Sequence, residues 1–141
     1  MIRDELINPR SIVLVGGSND MSKPGGTALR NIINGGYSGE IFIINPREKS
    51  VQGFSTFPDA ESIPGAECAI FAVPSGYVLK NAEILALKKN TKGFIVYSAG
   101  LGETGAEGKA LEERLTEIVS SAGGTLIGPN CTGVLFPGFA A

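Results

Sequence analysis

Residues 11–26, SIVLVGGSNDMSKPGG, give the clearest indication of the fold. This stretch opens with an apolar, β-branched run at residues 11–16, which is typical of a strand buried on both faces of a parallel sheet. A glycine-rich loop follows, and residues 26–33 then carry one apolar stripe that predicts a helix ending at Gly35 and Gly36. The stripe consists of Ala28, Leu29, Ile32 and Ile33. The chain therefore begins with a strand, a tight turn and a helix.

The rest of the chain repeats this alternation. We predict five strands, at residues 11–16, 40–44, 67–73, 93–98 and 125–127, and two more amphipathic helices, at residues 77–89 and 106–121. Residues 47–62 contain Gly53 and Pro58 and are predicted to be irregular, holding only a short helix or an extended piece. Because crossovers between parallel strands are right-handed, the simplest arrangement is a Rossmann-like, doubly wound parallel sheet of about five strands with helices on both faces. We expect the strand order 3-2-1-4-5.

The composition limits the function classes. The 141 residues carry 12 Lys and Arg against 14 Asp and Glu, and no basic run favours a nucleic acid. No apolar run approaches the roughly 18 residues that span a bilayer, and acids lie near the N-terminus, so we expect a cytoplasmic protein that binds no membrane. The two cysteines are far apart and there is no histidine, so we assign neither a metal site nor a disulfide.

The loop at residues 16–26 is the first candidate binding site. Glycines let the backbone approach a phosphate closely, and the amides at the beginning of the helix favour an anion. The alternative is an ordinary glycine-rich turn that binds nothing. We expect Gly25→Val to weaken ligand binding and to leave the fold intact. The candidate residues are Gly16, Gly17, Ser18, Asn19, Lys23, Gly25 and Gly26.

This loop is not a standard dinucleotide fingerprint, which requires glycine where Ser18 and Met21 stand. The end of the second strand also lacks the acid that holds the ribose hydroxyls in NAD sites. Arg47 and Lys49 are candidates for contact with a phosphate on the ribose, which both NADP and coenzyme A carry. The alternative is that both are solvated surface cations. The candidate residues at this strand end are Asn45, Pro46, Arg47 and Lys49.

Several short motifs stand in a characteristic order along nearly the whole chain. They are Asn8-Pro-Arg-Ser-Ile-Val-Leu-Val-Gly-Gly-Ser, Ile44-Asn-Pro, Val73-Pro, Ser98-Ala-Gly-Leu-Gly-Glu-Thr-Gly and Gly128-Pro-Asn-Cys. Together they resemble the NDP-forming acyl-CoA synthetases and the similar α subunit of succinyl-CoA synthetase. One departure is Gly17, where that family usually has Ala, and we interpret this glycine as freeing the loop.

The resemblance implies that this domain binds coenzyme A. It places the nucleotide phosphates on the loop at residues 16–26 and the adenosine end near Asn45-Pro46-Arg47 and near Val73 and Pro74. Toward the pantetheine thiol and the acyl group it places Ser98, Ala99, Gly100, Asn130 and Cys131. We assign no catalytic residue, because a cysteine such as Cys131, in a loop after a buried strand, is more often a packing residue than a nucleophile.

By the same resemblance, the family's reaction joins an acid to coenzyme A at the expense of ATP or GTP, through an acyl phosphate and a phosphorylated histidine. Because this chain has no histidine, we expect it to be a coenzyme A-binding part of a larger multidomain protein and to be inactive alone. The acyl substrate and the nucleotide are expected to bind with the other domains or subunit. Two alternatives remain: a stand-alone regulatory module that binds coenzyme A, and an NADP-binding oxidoreductase domain.

Overall fold

The computed structural model describes residues 9–20, 22–96, 106–127, 135–136 and 139–140. The strands are β1 (Ser11–Val15), β2 (Glu40–Ile44), β3 (Ser50–Val51), β4 (Phe54–Phe57), β5 (Cys68–Phe71), β6 (Gly93–Val96), β7 (Thr125–Ile127), β8 (Leu135–Phe136) and β9 (Phe139–Ala140). The helices are α1 (Pro24–Asn34), α2 (Val78–Lys88) and α3 (Ala106–Ser121), with short 3₁₀ turns at Ala60–Ser62 and Ser75–Tyr77. No helix in this described part of the chain is long and apolar enough to cross a membrane.

Within the described residues, seven strands form one sheet in the order β3-β4-β2-β1-β5-β6-β7, and β8 and β9 form a separate hairpin. All strands of the large sheet are parallel except β3, which is antiparallel to β4. This is the Rossmann-like, doubly wound arrangement that the sequence predicts. The predicted helices and the five predicted strands are present, with small differences at their ends.

The predicted strand count and strand order are wrong in one place. The short helix or extended piece predicted within residues 47–62 is present as the 3₁₀ turn at Ala60–Ser62 and the β3–β4 hairpin, but β4 also pairs in parallel with β2 and so joins the sheet. The strand at residues 67–73 therefore does not lie beyond the second strand. It forms β5, which pairs with β1 on one side and β6 on the other.

Helices cover both faces of the sheet, as the sequence predicts. The side chains of β1 alternate between two buried clusters, because successive residues of a strand point to opposite faces. One cluster joins β1 to α1 through Ile12, Leu14, Leu29 and Ile32. The other joins β1 to α2 and α3 through Val13, Val15, Leu85 and Leu115. Each such side chain contributes about 1.5–3 kcal/mol by its burial, so the two clusters hold α1 firmly against the strand that precedes it.

Helix α1 begins two residues earlier than predicted. Pro24 takes its first turn, where the missing N–H of proline removes no hydrogen bond. The helix ends at Asn34, and Gly36 then adopts a φ of +78°, as glycines commonly do after a helix. The early start brings Gly25 and Gly26 into the helix, where both are buried.

Candidate functional site

Three strand ends meet beside Gly16. Its N–H donates to the Ile44 carbonyl oxygen at the end of β2 at 3.0 Å, and the Ala72 N–H after β5 donates to the Val15 carbonyl oxygen of β1 at 2.8 Å. Gly16 has a φ of +94°, and a Cβ there would lie 2.6 Å from Val73 Cγ1. Only glycine fits this position. The strand order reverses between β1 and β5, so Gly16 lies at the switch point where doubly wound sheets bind ligands.

The loop closes against the beginning of α1. A Cβ at Gly25 would lie 2.0 Å from the carbonyl oxygen of Gly16, whereas ordinary contact begins at 3.4 Å. The expectation that Gly25→Val leaves the fold intact is therefore wrong, because any side chain at this position pushes α1 away from the loop. The close approach keeps the N-terminal amides of α1, and their partial positive charge, beside the loop.

Gly17 is buried, and the structure indicates that close packing, not flexibility, explains the glycine at this position. A Cβ there would lie 2.6 Å from Ile43 Cγ2 and 3.2 Å from Leu14 Cδ2. The interpretation that this glycine frees the loop is wrong, because the space beside it is already filled by the side chains of β1 and β2. Gly17 instead lets the loop pack directly on the sheet.

The side chain of Asn45 links the end of β2 to the loop. Its Nδ2 donates to the Gly17 carbonyl oxygen at 3.0 Å, and its Oδ1 accepts from the backbone N–H groups of Arg47 at 2.8 Å and Glu48 at 3.0 Å. The oxygen of Asn45 is thus engaged by two backbone amides. It is poorly suited to accept hydrogen bonds from ribose hydroxyls, as the acid of an NAD site does.

Two positive charges follow this turn. Pro46, Arg47 and Lys49 are all exposed. Among the residues that the structure describes, the one ion pair joins Lys88 to Glu61 at 3.2 Å, so no carboxylate there neutralises Arg47 or Lys49. Both cations are therefore available to an anionic group that lies beyond β2.

Sequence reasoning missed Gln52, which ties the β3–β4 turn to the loop. Its Nε2 donates to the carbonyl oxygens of Ser18 at 2.9 Å and Gly26 at 3.0 Å. Its backbone N–H donates to Asn19 Oδ1 at 2.7 Å, and Asn19 Nδ2 donates to the Ser50 carbonyl oxygen at 3.1 Å. Asn19 therefore contributes its side chain to the hairpin and leaves only its backbone for a ligand.

The middle of the loop is ordered by a short polar network. Ser18 Oγ accepts from the Asp20 N–H at 3.0 Å, and one carboxylate oxygen of Asp20 accepts from the N–H and hydroxyl of Ser22. The Ser22 hydroxyl and amide, and to a lesser extent the Lys23 charge, hold the pKa of Asp20 below its ordinary value. Asp20 is therefore ionised at neutral pH, with the exposed Lys23 as a nearby counter-charge.

Of the remaining candidate residues, Val73 and Pro74 lie within the described part of the chain and the pantetheine-side residues do not. The exposed Pro74 follows Val73, and its carbonyl oxygen accepts from the Tyr77 N–H at 2.9 Å, which starts the turn into α2. The pantetheine-side candidates lie outside the described residues. These are Ser98, Ala99, Gly100, Asn130 and Cys131.

A glycine-rich loop that joins the first strand to the first helix, at the switch point of a doubly wound sheet, defines a nucleotide-binding domain. The sequence model of one family, described as a CoA binding domain, matches residues 10–137, and the chain belongs to this family.

Individual relatives narrow the type of domain. The chain is 39% identical to the alpha subunit of acetate–CoA ligase (ADP-forming) II of Pyrococcus furiosus over 133 residues. The matched region covers 94% of this chain and 29% of that protein. It is 35% identical to acetate–CoA ligase (ADP-forming) I of Archaeoglobus fulgidus, over 94% of this chain and 19% of that protein. A solved structure of dinucleotide forming acetyl-coenzyme A synthetase 1 of Ca. Korarchaeum cryptofilum, in complex with phosphate and ADP, has a TM-score of 0.86 and 33% identity, over 95% of this chain and 28% of that one.

These comparisons confirm the resemblance that the sequence motifs indicate. The chain is a coenzyme A-binding domain of the type found in NDP-forming acyl-CoA synthetases. It spans less than a third of the length of each of these relatives.

Proposed function

We propose that this chain holds coenzyme A for an enzyme that joins a carboxylic acid to the thiol of coenzyme A at the expense of ATP or GTP. The observation that carries the proposal is the close contact of Gly25 with Gly16, which brings the loop and the amides of α1 together at the switch point. The family match supports coenzyme A, among nucleotide ligands, as the occupant.

The site residues follow from the loop geometry and the motifs. We place the diphosphate of coenzyme A against the backbone of residues 16–26 and the adenosine end between the turn after β2 and the turn after β5. Arg47 and Lys49 are proposed to meet the 3′-phosphate, because both are exposed and no described carboxylate neutralises them. The pantetheine arm is proposed to run toward Ser98-Ala99-Gly100 and Asn130-Cys131, as the resemblance implies.

The complete reaction is proposed to convert an acid, coenzyme A and ATP or GTP into acyl-CoA, the nucleoside diphosphate and phosphate. The chain contains no histidine, so the phosphohistidine of the family mechanism must be supplied by another domain or subunit. The nucleotide and the acyl substrate are proposed to bind there as well, in the cytoplasm, where coenzyme A and nucleoside triphosphates are available. The role of this chain is then to bind and orient the thiol-bearing ligand.

A competition experiment tests the ligand and the two cations together. Isothermal titration calorimetry of the 141-residue chain should rank coenzyme A first, dephospho-coenzyme A second, and NADP and NAD last. Because a charge-assisted contact at an exposed position is weaker than a shielded one, removing the 3′-phosphate should weaken binding by about fivefold to tenfold. Arg47→Ala and Lys49→Ala should shrink that difference.

Arg114→Ala is the matched control, because Arg114 is an exposed arginine on α3, on the opposite face of the sheet from α1. It should leave the ranking and the affinities unchanged. If NADP binds more tightly than coenzyme A, the oxidoreductase alternative replaces the proposed function. If coenzyme A and dephospho-coenzyme A bind equally, the function stands and the assignment of Arg47 and Lys49 fails.

A further inference from the structure

We propose that Asn45 and Gln52 are positioning residues that aim two backbone amides of the loop at the diphosphate of coenzyme A. The proposal rests on the proposed function and adds to it a mechanism for preorganising the loop. Neither side chain needs to touch the ligand, because each acts by holding the carbonyl oxygen of a peptide group whose N–H points the other way.

The first peptide group joins Gly17 to Ser18. Asn45 Nδ2 donates to the Gly17 carbonyl oxygen at 3.0 Å, which directs that oxygen toward the end of β2. A trans peptide group is planar, and its C=O and N–H bonds point in opposite directions. The N–H of Ser18 must therefore point away from Asn45.

The second peptide group joins Ser18 to Asn19. Gln52 Nε2 donates to the Ser18 carbonyl oxygen at 2.9 Å and also to the Gly26 carbonyl oxygen at 3.0 Å. By the same geometry, the N–H of Asn19 points away from Gln52. The bond to Gly26 anchors the carboxamide of Gln52 to the first turn of α1, so the loop and the helix are held by one side chain.

The orientation of these two N–H groups is fixed, and they are left to donate to a ligand. Within the residues that the structure describes, the N–H groups of Ser18 and Asn19 donate no hydrogen bond. Consecutive backbone N–H groups that are held in one concavity form a strong anion site. Donors that are oriented before binding lose little freedom when the ligand arrives. The hydrogen bonds from Asn45 and Gln52 should therefore raise the affinity for coenzyme A.

The backbone conformation of Gln52 allows a substitution that removes the side chain without straining the turn. Gln52 has a φ of +48°, a conformation that glycine adopts at lower cost than any residue with a Cβ. The neighbouring turn residue, Gly53, has a φ of +91°. A glycine at position 52 would keep the backbone hydrogen bond to Asn19 but would lose the carboxamide hydrogen bonds to Ser18 and Gly26. The Gln52→Gly substitution therefore tests the side-chain hydrogen bonds while it preserves the backbone shape of the turn.

The test compares the wild-type 141-residue chain with Gln52→Gly, using calorimetry with coenzyme A, thermal unfolding, and ¹H–¹⁵N NMR of the loop amides. In the wild type, binding should move the amide protons of Ser18 and Asn19 downfield, as expected for donors to a phosphate. In Gln52→Gly the Kd should rise about tenfold, or about 1.4 kcal/mol, with a smaller shift at Asn19. Because relief of the strained φ offsets part of the two lost hydrogen bonds, its melting temperature should stay within about 4 °C of the wild type's.

Thr56→Val is the control for hairpin stability, because it removes the hydrogen bond from Thr56 Oγ1 to the Glu48 carbonyl oxygen and leaves the hydrogen bonds of Gln52 in place, so it should leave the Kd unchanged. Gln52→Asn, which tolerates a positive φ but is too short to reach both carbonyls, serves if the glycine variant does not fold. A Gln52→Gly Kd and amide shifts equal to the wild type's would overturn the positioning role and leave the proposed function standing. Failure of the wild-type chain to bind coenzyme A would overturn both.

Discussion

Gly25→Ala is the smallest change that tests whether the contact between the loop and α1 is needed. The added Cβ would lie 2.0 Å from the Gly16 carbonyl oxygen, 2.9 Å from its carbonyl carbon and 3.3 Å from the Gly17 Cα. All three are backbone atoms, so no side chain can turn aside to make room. The helix or the loop must shift by over an ångström before the contact becomes ordinary.

The expected magnitudes follow from that displacement. Forcing one extra carbon into a packed region costs about 1–3 kcal/mol of the free energy of unfolding. The shift also moves the amides of α1 away from those of the loop, and the loss of one charge-assisted hydrogen bond to a phosphate costs about 1.5–3 kcal/mol. The Kd for coenzyme A should therefore rise by roughly tenfold to a hundredfold.

Urea denaturation and calorimetry with coenzyme A measure the two effects on one protein sample. Gly36→Ala is the control, because Gly36 follows the far end of α1 from the loop and a Cβ there meets nothing within 4 Å. Its φ of +78° makes the substitution cost about 1–2 kcal/mol of stability, but the affinity for coenzyme A should not change. A Gly25→Ala protein with wild-type stability and wild-type affinity would refute the inference that the loop and α1 must touch.

Two further predictions concern the same loop. Gly17→Ala should lower the free energy of unfolding by about 1–3 kcal/mol. Adding Ile43→Val should not restore the loss, because valine lacks only Cδ1 and keeps Cγ2, the atom nearest the added Cβ; urea midpoints of the single and double variants check this. Asp20→Asn should be less stable than the wild type at neutral pH. Because the folded pKa of Asp20 lies below its ordinary value of 3.8, its contribution is present above that value and is lost as the pH falls through the lower folded pKa. The stability difference measured between the two proteins should therefore disappear in acid, and a difference that grows in acid would contradict this account.

The parts of the fold that the sequence predicts are those with long periodic signals. The five apolar runs and the three amphipathic stripes locate β1, β2, β5, β6 and β7 and the three α-helices of the described residues. The glycines that follow the first apolar run, at positions 16, 17, 25 and 26, locate the loop, because glycines clustered between a strand and a helix are typical of a tight turn. The strand ends beside Gly16 follow from the parallel topology, in which the carboxyl ends of the strands share one edge.

The β3–β4 hairpin lies beyond such reasoning because its signals are short. β3 has two residues and β4 has four, so neither gives a clear alternation. Gln52 and Gly53 form a two-residue turn with positive φ at both positions, for which Asn-Gly is the strong sequence signal and Gln-Gly a weak one. Because the sequence does not reveal β4 as the neighbour of β2, it predicts that position for the strand at residues 67–73, and the predicted strand order is therefore wrong.

The role of Gln52 could not be predicted for a related reason. It lies 34 positions from Ser18 and 26 from Gly26 along the chain, and the contacts depend on β4 lying next to β2. The tight packing at Gly17 likewise depends on a side chain of a neighbouring strand. Single-residue roles of this kind are set by which strands become neighbours, and the local sequence around each residue does not contain that information.

The turn at Gln52 and Gly53 also decides where the chain can accept inserted sequence. Two-residue surface turns are normally good places for an affinity tag, a fluorophore sequence or a guest domain, because few contacts are lost there. Here an insertion would carry the carboxamide of Gln52 away from Ser18 and Gly26, so a tagged protein could fold and still bind its ligand poorly. Gly36, where a Cβ meets nothing within 4 Å, offers a connection between α1 and β2 at which an engineered insertion leaves the loop alone.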